Sequence, residues 1–561
     1  MRHHDSALIV RREVPHARTS VFRSPYIGGL TQLHCDNLLT ETTSHLQRKH
    51  TWDAGRDTVF DVAIIGGGIK GAHIYHQLCE AGYRTVLLEK GDFASGTSQA
   101  SCMMIWGGLL YLANWDIATV WKLSSARNVL LRTMPNCIRK QTFRYYPQHI
   151  SPLKRRLFQA VFRGYGLFGP NPWNRAASSR PMTHPDLSHT DRAPLPLIVD
   201  EAMVGPSDAR FVLQLILRHQ GPDHVPLNYC EVEGGQFDHR HHVWNLQLHD
   251  KIHHIRSEWK ARCVINVAGT ATDSLNHLFG IDSPYRHILS KGVSLILTRN
   301  PRHQAPAIYD SEGTVMTYLP WGPVSIWGPT ETIIKDPSRG WLVRSDEIQF
   351  LLRELRGHLP YPVSSRDIVN TRCGVRTLVS DTAISPNQLS HKLSRRAHVH
   401  IDSAHPWITL YGGTFTSAML MATRVRRALR KQSIWPSASH RSLPQQNTAS
   451  PESDCFPGLT EPVSSPRWSA NYEMCWTLDD YLRRRTNIGQ WVPRGGLGRD
   501  DEYMPDIERI ADALHPNNPA QALEDIDAYR AHVLTNFDHL SLADHDYDND
   551  AIRMDWRATT S

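Results

Sequence analysis

"DVAIIGGGIKGA", residues 61–72, decides the fold of this chain. The apolar run before the glycines reads as a buried strand over about 58–65, and the pattern after them predicts a helix over 68–81 ending at Gly82. A second strand, "RTVLLE", follows at 84–89, so the opening is a βαβ unit. Between strand and helix, Gly66, Gly68 and Gly71 keep the G-x-G-x-x-G spacing. Gly66 permits a tight turn, Gly68 lets the backbone approach a diphosphate, and Gly71 lets helix and strand close together. The positive end of the helix attracts the anion. Glu89 stands where a carboxylate accepts hydrogen bonds from a ribose diol and repels a 2′-phosphate. The expectation is a Rossmann-like domain holding a dinucleotide.

Working outward, "KGDFASGTSQAS" (90–101) is rich in hydroxyls and backbone amides. Such a loop suits a large resident cofactor, which favours FAD over NAD and makes Thr97, Ser98 and Ser101 candidate contacts. Residues 228–300 turn to short apolar runs between polar turns, the pattern of β structure. Helical periodicity returns at 346–357 and 415–431. The Ser/Pro/Gln-rich stretch 432–466 reads as a linker. Beyond it, 477–491 and 506–516 read as helices of a small C-terminal domain, 467–540, followed by an acidic tail at 541–561. Residues 1–56 are expected to be a poorly ordered extension, and 57–431 to form the body.

No apolar run approaches the ~18 residues of a spanning helix. The nine cysteines show no CxxC spacing, so neither zinc staples nor a disulfide framework is expected. The chain carries a formal charge of +7, yet residues 501–561 hold 14 Asp/Glu against 4 Lys/Arg. A basic body favours an anionic substrate, cofactor or membrane surface. No basic run with interleaved aromatics points to nucleic acid. The histidines of 238–244 and 249–256 lack metal-ligand spacing and read as exposed turns. "DHDYDNDAIRMD" (544–555) spaces its acids like a calcium loop, but Asn549 occupies the position of the required glycine and Asp555 that of the glutamate. No metal is expected.

At this point the order of motifs resembles the FAD-dependent glycerol-3-phosphate dehydrogenases, of the D-amino-acid-oxidase-like superfamily. "DVAIIGGGIKGA", "TSQAS" and "IWGGLLYL" resemble that family's GGGxxG, TSxxSS and HGGxRYL segments. "VGPSDARFVLQLI", "ARCVINVAGTATDSL", "SKGVSLIL", "YLPWGPVSIWGPTE", "DIVNTRCGVRTLVSD" and "LYGGTFTS" follow in the family's order, and the coverage runs from about 58 to 530. The resemblance implies an α/β body with a Rossmann-like FAD domain, an α+β substrate domain with an antiparallel sheet, and a C-terminal helical domain. It adds Gly107, Gly108, Val232, Gly269 and Gly413 to the cofactor contacts. It also implies hydride transfer from a C–OH or C–N carbon to flavin N5, with electrons passed to quinone or oxygen.

The substrate side departs from the family. Trp106 stands in place of its histidine, Leu110 of its arginine and Thr414 of the lysine in "GGK", while Arg376 of "CGVRTL" is retained. An alcohol must lose a hydroxyl proton as hydride leaves, and a positioned base contributes about 10²- to 10⁴-fold to that step. A neutral amine needs no enzymic base. Trp106, Arg376 and Thr414 are therefore the candidate substrate residues, for an anionic or amine-bearing substrate. His287, Lys291, Tyr318 and Glu331 are further candidates for a base. A genuine quinone-linked glycerol-3-phosphate dehydrogenase making dihydroxyacetone phosphate, and a flavin-binding protein without turnover, are the alternatives. The expected location is cytoplasmic, and the basic body is compatible with peripheral contact at the inner membrane surface.

Overall fold

The computed structural model describes residues 43–109, 111, 116–147, 152–166, 196–299, 305–311, 314–334, 341–359, 362–381, 396–438 and 452–537. The N-terminal residues to 42, Leu110, the centre of the 432–466 stretch and the acidic tail with its calcium-like spacing lie outside them. No helix among the described residues is long and apolar enough to cross a membrane.

Strand β1 (Val59–Ile65) is buried on both faces, which is why it reads as an uninterrupted apolar run. It pairs in parallel with β2 (Thr85–Leu88) on one side and with Ile255–Asn266 on the other. His224–Leu227 and Trp407–Tyr411 extend the parallel core outward, and Cys230–Asp238, Val243–Asp250 and His398–Ile401 complete an eight-stranded sheet. Val62 and Ile64 face one cluster, built with helix α2 (Ile69–Glu80) and the helices Asp208–Leu217 and Ala418–Lys431. Ala63 and Ile65 face the other, which holds Trp52, Trp244, Trp259 and Trp407.

A second sheet is nine-stranded and mostly antiparallel. Its longest pair joins Tyr285–Thr298 to Ile368–Asp381, with Ser290 opposite Arg376 and Gly292 opposite Gly374. The short strand Met104–Ile105 lies at its far edge, immediately before Trp106.

The expected extension to residue 56 is shorter than predicted. Helix α1 (Thr43–Arg56) belongs to the body. Its Arg48 makes a buried two-pronged contact with Asp250 at 2.9 Å, and Trp52 is fully buried beside Trp259. A Cβ on Gly55 would stand 2.1 Å from the Trp259 ring, so the helix reaches this close only through glycine. The helix is otherwise polar, which hid it from a search for apolar periodicity. The stretch read as a linker is also tethered at both ends: Ser437 binds Asp61, and Ser453–Asp454 pairs with Val463–Ser464.

The C-terminal helices, from Pro466–Tyr472 to Pro519–Asn536, enclose a core of their own around Leu478, Tyr481, Ile507 and Tyr529. The predicted helix over 477–491 is a wide π-type turn, Asp480–Arg485, followed by a short helix at Ile488–Trp491. That turn delivers Arg484 and Arg485 to Asp92, in the loop after β2. Asn228 donates to the same carboxylate, which is fully buried.

Burial would raise the Asp92 pKa, but the Arg485 and Arg484 guanidiniums outweigh it and bring it to about 2. A depressed carboxylate gives stability that is present above its unfolded pKa, near 3.9, and lost as pH falls toward the folded value. Asp92→Ala should cost about 3–5 kcal/mol, because it leaves buried guanidinium charge without its partner. Urea unfolding of wild type between pH 5 and 2 should show a loss of stability that is smaller in Asp92→Asn; parallel acid limbs would contradict this.

Candidate active site and cofactor cradle

Gly66 takes φ +119°, and a Cβ there would lie 2.5 Å from the Val267 carbonyl oxygen. At Gly71 a Cβ would lie 1.9 Å from the Gly66 oxygen, so any side chain would force helix and turn apart. The first residue before α2, Gly68, offers no capping side chain; the Ile69 amide instead donates to Ser98 Oγ at 2.9 Å. Glu89 accepts from the amides of Gly67 (2.7 Å) and Gly91 (3.0 Å). Burial raises its carboxyl pKa against the pull of those two amides. The strand carrying Val232 starts beside it, with the Cys230 amide on the Glu89 carbonyl at 2.8 Å. Gly269, at φ +61°, follows the central strand into open space.

These features fit an FAD. A side-chain-free turn faces a helix N-terminus, a carboxylate stands after the second strand, and Lys70, the second residue of the helix, has a buried Nζ with no hydrogen-bond partner among the described residues.

The loop 97–101 is held from beneath. Thr97 Oγ1 donates to the Val375 carbonyl. Ser101, expected to contact the cofactor, directs both its amide and its hydroxyl to Asp208 at 2.8 Å. Arg372 grips the same buried carboxylate at 2.6 Å, which explains why Ser101 is committed there. Beyond the loop, Gly107 rests on a buried platform. Its amide donates to Glu201 at 2.8 Å, Arg127 meets that carboxylate at 2.6 Å, and the Tyr165 hydroxyl donates to it too. A Cβ on Gly107 would come within 2.3 Å of both Arg127 and Tyr165. Gly108 takes φ +94°. Trp106 emerges part-buried from this platform, packed on the cluster that includes Met103, Phe143 and Trp321.

Arg376 crosses the face of Gly292, where a Cβ would lie 2.5 Å from its Nη2. Its Nη1 lies 3.7 Å from Glu331 Oε1, and the two side chains are 27% and 46% exposed. Thr414 binds Ser417 reciprocally, its amide donating to Ser417 Oγ at 2.7 Å while its hydroxyl accepts from the Ser417 amide. Gly413, at φ +89°, turns the chain into that pair. The base candidates separate sharply. Lys291 is paired with Glu347 at 2.8 Å, and Tyr318 is buried with its hydroxyl on Ser325, so both face the sheet interior. His287 Nε2 accepts from the Gly412 amide, and burial brings its pKa down to about 3, which keeps it neutral. Glu331 alone of the four stands beside Arg376.

The histidine turns carry hydrogen bonds of their own: His241 to Asp238, His253 to Asp250. Among the described residues His76, Glu80 and His219 do come together, with His76 Nδ1 2.7 Å from His219 Nε2, near the far end of α2 from the glycine turn. Sequence reasoning missed Lys70, the Arg127–Glu201–Tyr165 platform, and the Asp208–Arg372 pair. Glu201 lies in the strand "LIVDEAMV", where a charged residue at an inward position was the available signal.

Glu89→Ala should weaken FAD binding by about 10- to 100-fold, since two backbone amides and the ribose lose their acceptor. Quenching of flavin fluorescence on titration into the apoprotein measures this; unchanged affinity would remove Glu89 from the cradle.

Comparison with known proteins gives the family and the fold. The family model for FAD dependent oxidoreductases matches residues 61–425. Over 374 residues the chain is 26% identical to the aerobic glycerol-3-phosphate dehydrogenase of Escherichia coli strain K12, covering 64% of this chain and 72% of that one. Over 393 residues it is 28% identical to the probable mitochondrial glycerol-3-phosphate dehydrogenase of Caenorhabditis elegans, covering 65% of this chain and 51% of the relative. The chain thus spans about half the length of that second protein. In structure it is similar to the glycerol-3-phosphate dehydrogenase of Bacillus halodurans complexed with FAD, with a TM-score of 0.64 at 16% identity over 88% of this chain and 98% of that one. The shared fold and the family match carry one conclusion: this chain belongs to the FAD dependent oxidoreductase family.

Proposed function

We propose that this oxidoreductase acts on a small zwitterionic substrate, oxidising a carbon that bears nitrogen. The observation that carries the reading is the partly exposed pair of opposite charges, Arg376 and Glu331, 3.7 Å apart. A guanidinium offers a planar fork to a carboxylate, and the neighbouring carboxylate offers a partner to an ammonium. FAD held at the glycine turn would supply a two-electron acceptor, with quinone or oxygen as the final acceptor. Trp106 and Thr414 add apolar surface and a hydroxyl, without a titratable group. Glu331 is placed to take the ammonium proton and so leave the amine in its reactive neutral form. An alcohol would find no comparable help at position 106, where its hydroxyl proton requires a base.

A second reading is supported by the names of the relatives. Arg376 can grip a phosphate as well as a carboxylate, and the Escherichia coli and Bacillus halodurans proteins are glycerol-3-phosphate dehydrogenases. Anaerobic mixing of the holoenzyme with amino acids, secondary amines and glycerol 3-phosphate separates the two. The expected outcome is bleaching of the visible flavin band by an amine-bearing acid and none by the phosphate ester; the reverse would establish the second reading. Arg376→Met should lower kcat/KM for the preferred substrate by about 10²-fold or more, as loss of a charged hydrogen-bonded grip on an anion does.

A further inference from the structure

Lys70 is the second residue of α2 and the one charged residue within the glycine turn. Three physical costs fall on it at once. A cation at a helix N-terminus opposes the macrodipole. Its Nζ is buried, and an ammonium taken out of water without a counter-charge is strongly disfavoured. No hydrogen-bond acceptor among the described residues meets it. Its neighbour in charge terms, His287, is buried and neutral, its Nδ1 making no hydrogen bond among the described residues and lying 4.0 Å from Asp273 Oδ1. Lys70 lies two residues beyond Gly68, and side chains in a helix lean toward its N-terminus, the direction of the Gly66–Gly68 turn. A doubly charged diphosphate at that turn would remove all three costs together.

We propose that the Lys70 ammonium pairs with the diphosphate of FAD, giving this chain a side-chain cation in a cradle otherwise built from backbone amides. The proposal rests on FAD binding at the glycine turn and is independent of the substrate. Burial lowers the Lys70 pKa to about 8 in the protein without cofactor. An anion arriving beside it raises that value again, so binding near pH 8 takes up a proton. His287, at about 3, neither gives nor takes a proton in that range.

Calorimetric titration of the full-length apoprotein near pH 8, in two buffers of different ionisation enthalpy, reads this uptake directly. The expected value is about half a proton with FAD and with ADP, and none with riboflavin. Lys70→Met should abolish the uptake and weaken FAD and ADP binding by about 10- to 100-fold. Lys70→Arg should restore affinity without uptake, since a guanidinium stays charged throughout. Uptake that persists in Lys70→Met, or that follows riboflavin instead of ADP, would overturn the proposal. Should Lys70→Met fail to fold, the arginine variant still decides it: uptake equal to wild type assigns the proton elsewhere.

Discussion

The contact between Gly71 and the Gly66 carbonyl is the constraint from which the rest of the structure follows. With 1.9 Å available to a Cβ, no other residue lets α2 begin so close to the end of β1. That closeness aims the helix axis at the turn and leaves backbone amides, rather than side chains, around it. β1 pairs with Ile255–Asn266 on one side and with β2 on the other, so the Val267–Gly269 loop and the loop after β2 reach the turn from opposite sides of β1. Everything that approaches the cofactor later in the chain is positioned against this pair.

Two buried charge clusters then stiffen the second sheet and tie it to that frame. Beneath Gly107, Arg127 and Glu201 are both fully buried, so the platform is costly to build and stiff once built. Around Asp208, Ser101 and Arg372 tie the loop after β2 to the Ile368–Asp381 strand. Arg376 lies on that same strand, four residues after Arg372, so its position depends on the anchoring of the cofactor loop. The loop 97–101 and the strand that carries Arg376 therefore share a support.

What was legible in the sequence was whatever local sterics dictate. The glycine turn, β1, α2 and β2 are read from neighbours in the chain, and their boundaries fall within a residue or two of expectation. The motif also put Arg376 on the site-side strand by expectation, and the residue lies part-buried in Ile368–Asp381. Partners across long separations were not. Asp92 and Arg484 are 392 residues apart, and nothing in either neighbourhood names the other. Lys291 looked like a site residue by motif, yet its pairing with Glu347 turns it inward. Lys70 was not singled out, because burial of an amine depends on elements that arrive much later in the chain. Helix α1 escaped because it is anchored by two side chains, Arg48 and Trp52, instead of by an apolar stripe.

The way Asp92 is surrounded has a bearing on how the molecule can be divided. Its carboxylate receives both C-terminal arginines, while Asn228 donates to it and to the Met474 carbonyl and accepts from the Trp476 indole. The covalent connection between residues 438 and 452 is thus not the bond that joins the C-terminal helices to the rest. A protease cut there would yield two polypeptides on a denaturing gel but one particle in solution, and an oxidoreductase body produced without its last hundred residues would carry an acid and an amide stranded in its interior.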